Sequence, residues 1–333
     1  MTCSNDCLLK LFNLPEPLLT GQTENLEEMT SVLKIQESET VYDYSWYPLM
    51  SSADPATCCF ATTSSNTPIH LWDAFTGELR CSYRAFNQVD EVTPAHCVSF
   101  SGDGSKLYCG FNKTVRVFNV DRPGRQCEQR LTYMKEGQAG IISCIASSPL
   151  DAGLYAAGSY SRSVALYYEP NGEMVCMFQG HQGGVTHIQF TPDGTKLLSG
   201  GRKDPEILCW DLRNPGQILF TAPRKVETNQ RIYFDVDNSG RYLVSGNHDG
   251  TVSVWDMTRA PATLPDSQDP VLEPVLNYKA HNDTVNGASL HPSMPLLVTS
   301  SGQRHFSNLL DSDEEDTDPI SNKVDNSVRL WYM

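Results

Sequence analysis

An all-β propeller built from one repeated unit is the architecture expected of this 333-residue chain, and three observations carry it. The first is a recurring apolar run that alternates with polar residues and closes on an aromatic, mostly with Asp or Asn after it. It appears as Ile69-His-Leu-Trp72-Asp73, Val115-Arg-Val-Phe118-Asn119, Val164-Ala-Leu-Tyr167, Ile207-Leu-Cys-Trp210-Asp211, Val252-Ser-Val-Trp255-Asp256 and Val328-Arg-Leu-Trp331. The second is spacing. The aromatics are 46, 49, 43 and 45 residues apart, close to the length of a propeller blade. The last step, 76 residues, is lengthened by a polar, acidic stretch from about Gln303 to Asn326. The third is turn chemistry in phase with the aromatics. Ser101-Gly-Asp-Gly104, Thr191-Pro-Asp-Gly194 and Asp237-Asn-Ser-Gly240 each supply a glycine where a tight turn needs positive φ.

Within each period the order is constant. A strand opens it (His96–Phe100, Val185–Phe190), the Gly-bearing turn follows, and a second strand ends in small residues (Leu197–Gly201, Leu243–Gly246, Leu297–Ser300). A polar turn then leads into the aromatic-bearing strand. Gly180-His181 opens one repeat and Trp210-Asp211 closes it, the WD40 pattern. A histidine near the blade start can bond an Asp in the turn before the third strand and lock a thin core. His181, Asp211, His281 and Asp256 are assigned to this structural work. At the start of the chain, Leu8 to Phe12 reads as a third strand and Val32-Leu-Lys-Ile35 as an outer one, with too few residues ahead for two more. The expectation is seven blades. Residues 1–42 form a partial first blade and acidic connector, and 43–333 form six full blades with a disordered acidic insertion at about 303–326. The first blade is expected to leave an exposed edge, as in a chain shortened at its N-terminus.

Charge and composition exclude several classes. The net charge of −15 rules out a duplex-DNA binder that uses its whole surface. The charge is uneven: residues 44–310 hold 25 acids and 21 bases, so a local basic patch is permitted. No apolar run is long enough to span a bilayer, and Met1 is not followed by a signal-peptide pattern. Eleven cysteines, several in expected strands (Cys109, Cys144, Cys209), read as reduced thiols of a cytosolic or nuclear protein. Cys3 with Cys7, or Cys58 with Cys59, are weak zinc candidates beside that reading. Gly102-Asp-Gly104 is a hairpin turn rather than a phosphate loop, and no G-x-S-x-G elbow occurs. The chain is therefore read as a non-enzymatic binding scaffold, with no cofactor, no metal and no catalytic residue.

Several turns before the aromatic strands carry a base beside or instead of the usual Asp. They are Gly110-Phe111-Asn112-Lys113, Gly158-Ser-Tyr160-Ser-Arg162, Gly201-Arg202-Lys203-Asp204 and Gly302-Gln-Arg304. Arg231 adds one from the loop before a first strand. Lys and Arg neutralise phosphates, and exposed aromatics or guanidinium planes stack on unpaired bases. Phe111, Lys113, Tyr160, Arg162, Arg202, Lys203, Arg231 and Arg304 are thus the candidate residues of a single-stranded RNA site. The competing reading is local salt bridging, such as Lys203 with Asp204. Tyr44 and Trp46 are better placed for core packing. In the run Asp311–Asp318, Ser312 has acids downstream and is a possible site for an acid-directed kinase.

The runs Tyr42-Asp-Tyr-Ser-Trp-Tyr47, Pro68-Ile-His-Leu-Trp-Asp-Ala-Phe-Thr-Gly-Glu-Leu79, Cys109-Gly-Phe-Asn-Lys-Thr-Val-Arg-Val-Phe118, Gly140-Ile-Ile-Ser-Cys-Ile145, Gly180-His-Gln-Gly-Gly184 and Thr228-Asn-Gln-Arg-Ile-Tyr-Phe-Asp235 resemble the family of telomerase Cajal body WD40 proteins. The resemblance covers nearly the whole chain and reaches into loops. It implies recognition of the CAB box of small Cajal body RNAs and telomerase RNA, and delivery of these box H/ACA ribonucleoproteins to Cajal bodies and of telomerase to telomeres. It also implies a nuclear location, with telomerase reverse transcriptase, box H/ACA proteins and a folding chaperonin as partners. An alternative lies in Trp210-Asp-Leu-Arg213, which fits the W-D-x-R pattern of substrate receptors of cullin ubiquitin ligases. A generic protein-interaction hub is the third reading.

Overall fold

A computed structural model describes residues 1–19, 27–134, 136–263, 265, 268–303 and 324–333. Apart from the short helix Glu16–Leu19 and a 3-10 turn at Pro55–Thr57, their regular structure is all β. The strands fall into seven sheets, each built from strands consecutive in the chain. This is a seven-bladed WD40-type fold. The first blade has three strands among the described residues, Thr2–Cys3, Leu8–Leu11 and Leu33–Gln36. The next five are four-stranded. The seventh has three strands among the described residues, Val285–Leu290, Leu296–Ser301 and Val328–Tyr332. Arg304, Ser312 and most of the expected acidic insertion lie outside the described residues.

Two compact units make up the chain: Met1–Ser199 with Trp210–Gln217, and Gly200–Cys209 with Ile218–Met333. In the first unit, strand alternation explains the packing. Along Lys106–Phe111, Leu107, Cys109 and Phe111 enter one apolar cluster while Tyr108 enters the next. Successive side chains of a strand point to opposite faces, and here both faces are covered by neighbouring blades. Small residues end the second strands because the next blade packs close. A Cβ on Gly158 would lie 2.5 Å from Cys144 Sγ and 2.7 Å from Val185 Cγ1. All eleven cysteines are free thiols.

The locks differ from blade to blade. In the first unit, Ser199 Oγ is shared by His181 Nε2 at 2.7 Å and Trp210 Nε1 at 2.8 Å. Another blade uses Glu37, 2% exposed, which receives bonds from Thr62, His70 and Trp72. Burial opposes the Glu37 charge, but the bonds from His70 and Thr62 outweigh it and hold the carboxyl below its ordinary range. In the second unit His281 is buried at the opening of its blade. Its Nε2 meets Thr299 Oγ1 at 2.7 Å, Trp331 Nε1 donates to the same hydroxyl at 2.8 Å, and Nδ1 meets Ser327 Oγ at 3.1 Å with Asp325 3.6 Å away, just ahead of the aromatic strand. Asp211 and Asp256 serve otherwise than expected. Asp211 accepts the Arg213 N–H and guanidinium, and Asp256 accepts Thr258 and Arg241. Both follow an aromatic at the far end of its strand, so each closes its own turn.

Candidate RNA interface

In the first unit two hairpin turns and one loop meet. The turn between strands Lys106–Phe111 and Thr114–Asn119 holds Asn112 and Lys113. The turn between Leu154–Ser159 and Ser163–Tyr168 holds Tyr160, Ser161 and Arg162. Residues 132–134 and 136–141 join them. Lys113 N–H donates to Gly140 C=O at 2.7 Å, Tyr160 N–H donates to Ile141 C=O at 3.0 Å, and Thr132 N–H donates to Lys113 C=O at 3.0 Å.

The loop is anchored by Gln138, which is fully buried. Its Nε2 donates to Ala157 C=O at 3.0 Å and Ser163 C=O at 2.9 Å, and its Oε1 accepts Tyr167 O–H at 3.1 Å. Thr132 Oγ1 donates to the Gln138 carbonyl at 2.8 Å. The loop is therefore pinned to the sheet that carries Arg162.

Lys113 and Arg162 are exposed and Tyr160 half-buried. Neither base forms an ion pair among the described residues, whereas Lys106 is bound to Glu169, Arg80 to Asp73 and Arg241 to Asp256. Lys113 and Arg162 both have left-handed backbone, φ 58° and 65°. The acid closest in sequence on the loop, Glu136, is also exposed.

Phe111 must be removed from the expected surface. It is 4% exposed and belongs to the core, with the Arg116 guanidinium over its ring at 4.8 Å. The strand runs on to residue 111, so alternation from Leu107 and Cys109 carries Phe111 inward. Arg202, Lys203 and Arg231 belong to the second unit. There Lys203 is exposed at φ 49°, with its N–H on Thr228 C=O at 3.1 Å, while Arg202 and Arg231 are half-buried. Asp204 is buried, and Lys203 forms no ion pair among the described residues. Sequence reasoning missed three residues. Tyr133, 47% exposed, carries the Lys113 ammonium 5.8 Å from its ring centroid. Gln138 was missed, as was Arg224 in the second unit. Arg224 is buried and bonded through Nη2 to Gly201 C=O at 3.0 Å and through Nη1 to Ile232 C=O at 3.2 Å. Burial lowers its pKa to about 10.

Comparison with known proteins gives the lineage. The model of the WD domain, G-beta repeat, matches residues 89–119, 172–211, 230–256 and 272–332. The chain is 53% identical over 317 residues to telomerase Cajal body protein 1 of Mus musculus, covering 95% of this chain and 58% of that protein. It is 36% identical over 310 residues to the Drosophila melanogaster telomerase Cajal body protein 1 homolog, covering 90% of this chain and 53% of that one. A guanine nucleotide-binding protein negative regulator 1 of Schizosaccharomyces pombe is 32% identical over 270 residues, 77% of this chain and 67% of its own length. The chain thus spans little more than half the length of the first two relatives. With its repeats closed by Trp72, Trp210, Trp255 and Trp331 and more than half of the aligned residues shared with the mouse protein, the chain belongs to the WD40-repeat family that includes telomerase Cajal body protein 1.

Proposed function

We propose that this chain is a non-enzymatic RNA-binding scaffold that recognises the CAB box of small Cajal body RNAs and telomerase RNA. Its task is to direct these box H/ACA ribonucleoproteins to Cajal bodies, and telomerase to telomeres. Telomerase reverse transcriptase and box H/ACA proteins are the partners of that assembly in the nucleus, and a chaperonin assists folding. The observation that carries the reading is the pair of bases, Lys113 and Arg162, which form no ion pair among the described residues and sit on turns hydrogen-bonded to one loop beside Tyr160. An overall acidic chain that leaves bases unpaired on adjoining turns is arranged to receive phosphates there. Splayed bases in an RNA loop are what side chains can read. In the second unit, Lys203, Arg202 and Arg231 are proposed as further phosphate contacts. Arg304 and the phosphosite Ser312 remain proposals from sequence. The ligase-receptor reading has less behind it: the Arg213 guanidinium is held on Asp211 of its own motif.

The test is a titration of the chain with a CAB-box hairpin and a loop-mutated control at two salt concentrations. Selective, salt-sensitive binding that Lys113→Ala with Arg162→Ala weakens, with melting unchanged, is the expected result. Equal binding to both hairpins, or binding indifferent to the double substitution, overturns the proposal.

A further inference from the structure

We infer that Tyr133 is the platform on which an unpaired base of the bound RNA stacks, with Lys113 beside it as the phosphate partner. This rests on the RNA-binding reading above and deepens it. Four observations point to it. Tyr133 is a large aromatic left 47% exposed, flanked by Leu131 at 49% and Met134 at 56%. The ammonium of Lys113 lies 5.8 Å from its ring centroid. Single exposed apolar residues are ordinary on protein surfaces, but three within four positions, next to an unneutralised base, form a patch of mixed apolar and cationic character. That mixture suits a nucleotide, which presents a π-face and a phosphate together.

The other two observations concern rigidity. Tyr133 stands between two buried anchors, Thr132, 3% exposed, and Gln138, 0% exposed. The loop turns back on itself so tightly at Gly137 that a Cβ there would lie 2.1 Å from Thr132 C=O and 2.7 Å from Met134 C=O. Gly137 N–H closes the turn on Met134 C=O at 3.0 Å. An aromatic between two anchored positions gives up less backbone freedom when it stacks. Phe111, the aromatic that composition suggests for this role, is in the core, and Tyr133 supplies the ring instead.

The experiment titrates the whole chain with a CAB-box hairpin carrying one 2-aminopurine in its loop. Tyr133→Leu is expected to weaken binding about 5- to 100-fold, abolish the fluorescence change of the stacked base and leave the salt slope unchanged. Tyr133→Phe is expected to keep affinity, and Lys113→Ala to lower the salt slope by about 0.7. Wild-type binding by Tyr133→Leu, while Lys113→Ala with Arg162→Ala still weakens it, overturns the platform and leaves the RNA reading standing. No effect from either set overturns both. Should Tyr133→Leu unfold, a 4-thiouridine cross-link on the unaltered chain decides. Attachment within 131–134 supports the platform, and attachment only elsewhere overturns it.

Discussion

Replacing Gln138 by alanine tests whether the candidate interface is held by one buried amide. The side chain makes three hydrogen bonds, two to the carbonyls of Ala157 and Ser163 and one from Tyr167 O–H. Each contributes about 1 kcal/mol net. The Ala157 carbonyl sits in a strand paired on both sides, so it keeps company when the amide goes. Tyr167 is 2% exposed, and its hydroxyl loses the partner that fixes it, a cost of about 1–3 kcal/mol. A destabilisation of about 3 kcal/mol follows, or roughly 4 °C in the melting midpoint of a chain this long. Gln138→Glu keeps the shape but turns a donor into an acceptor facing two carbonyls, so it is expected to cost more than alanine. Calorimetry gives the midpoints, and amide hydrogen exchange over 132–141 shows whether the loop loosens. A midpoint within one degree of wild type for Gln138→Ala, with exchange unchanged, refutes the reasoning.

Other outcomes follow from the locks and the charges. Thr299→Val removes a hydroxyl shared by His281 and Trp331 at constant shape and is expected to cost about 1–3 kcal/mol in urea unfolding. Arg213→Ala touches only an exposed pair with Asp211 and is expected to leave the melting midpoint nearly unmoved. Stability is expected to fall in two acid windows. Burial lowers the His281 pKa below 6.5, opposed by Asp325, so as pH drops through 6.5 the unfolded chain takes up a proton that the native one refuses. Asp325 is held below 3.8, where the Asn282 N–H and Ser327 hydroxyl outweigh the cost of burial. Its contribution is complete above 3.8 and is lost as pH falls through its lower native value. Urea midpoints at stepped pH check both, and His281→Phe should flatten the upper window.

The blades were legible because their signal repeats: Trp72, Trp210, Trp255 and Trp331 keep one phase across the chain. The turns bearing Lys113 and Arg162 were legible for the same reason, since the repeat fixes where a strand ends. Phe111 shows how far composition reaches. Gly-Phe-Asn-Lys reads as a surface turn, yet the strand includes Phe111, and counting alternation from Leu107 would have sent it inward. Tyr133 lies beyond the strand Glu128–Leu131, where the period says nothing. Gln138 acts on Ala157, Ser163 and Tyr167, contacts 19 to 29 residues away that no local pattern encodes. Asp325, the partner of His281, sits inside the stretch read as a polar insertion. No local pattern marks that acid as a neighbour of the histidine.

The backbone at the basic turns offers a last, independent argument for function. Lys113, Arg162 and Lys203 have φ of 58°, 65° and 49°, a region that disfavours side chains with a Cβ by about 1 kcal/mol. The comparable turn before strand Thr251–Asp256 uses Gly250 at φ 81°, the residue expected where only tightness matters. A turn that served folding alone would be served about equally well by glycine at 113 and 162. Glycine relieves the strain but adds unfolded-state freedom worth about 0.5–1 kcal/mol, so the two nearly cancel. Lys113→Gly with Arg162→Gly is therefore expected to leave stability within about 0.5 kcal/mol of wild type, or slightly above it. The same change should weaken RNA binding and flatten its salt dependence by about 1.4, two phosphate contacts at about 0.7 each. Unfolding and binding measured on one preparation separate the cases. A protein clearly destabilised by the double glycine would show that the two bases serve the fold. Unchanged stability with lost affinity would show a backbone held in an unfavourable conformation so that two cations face the ligand.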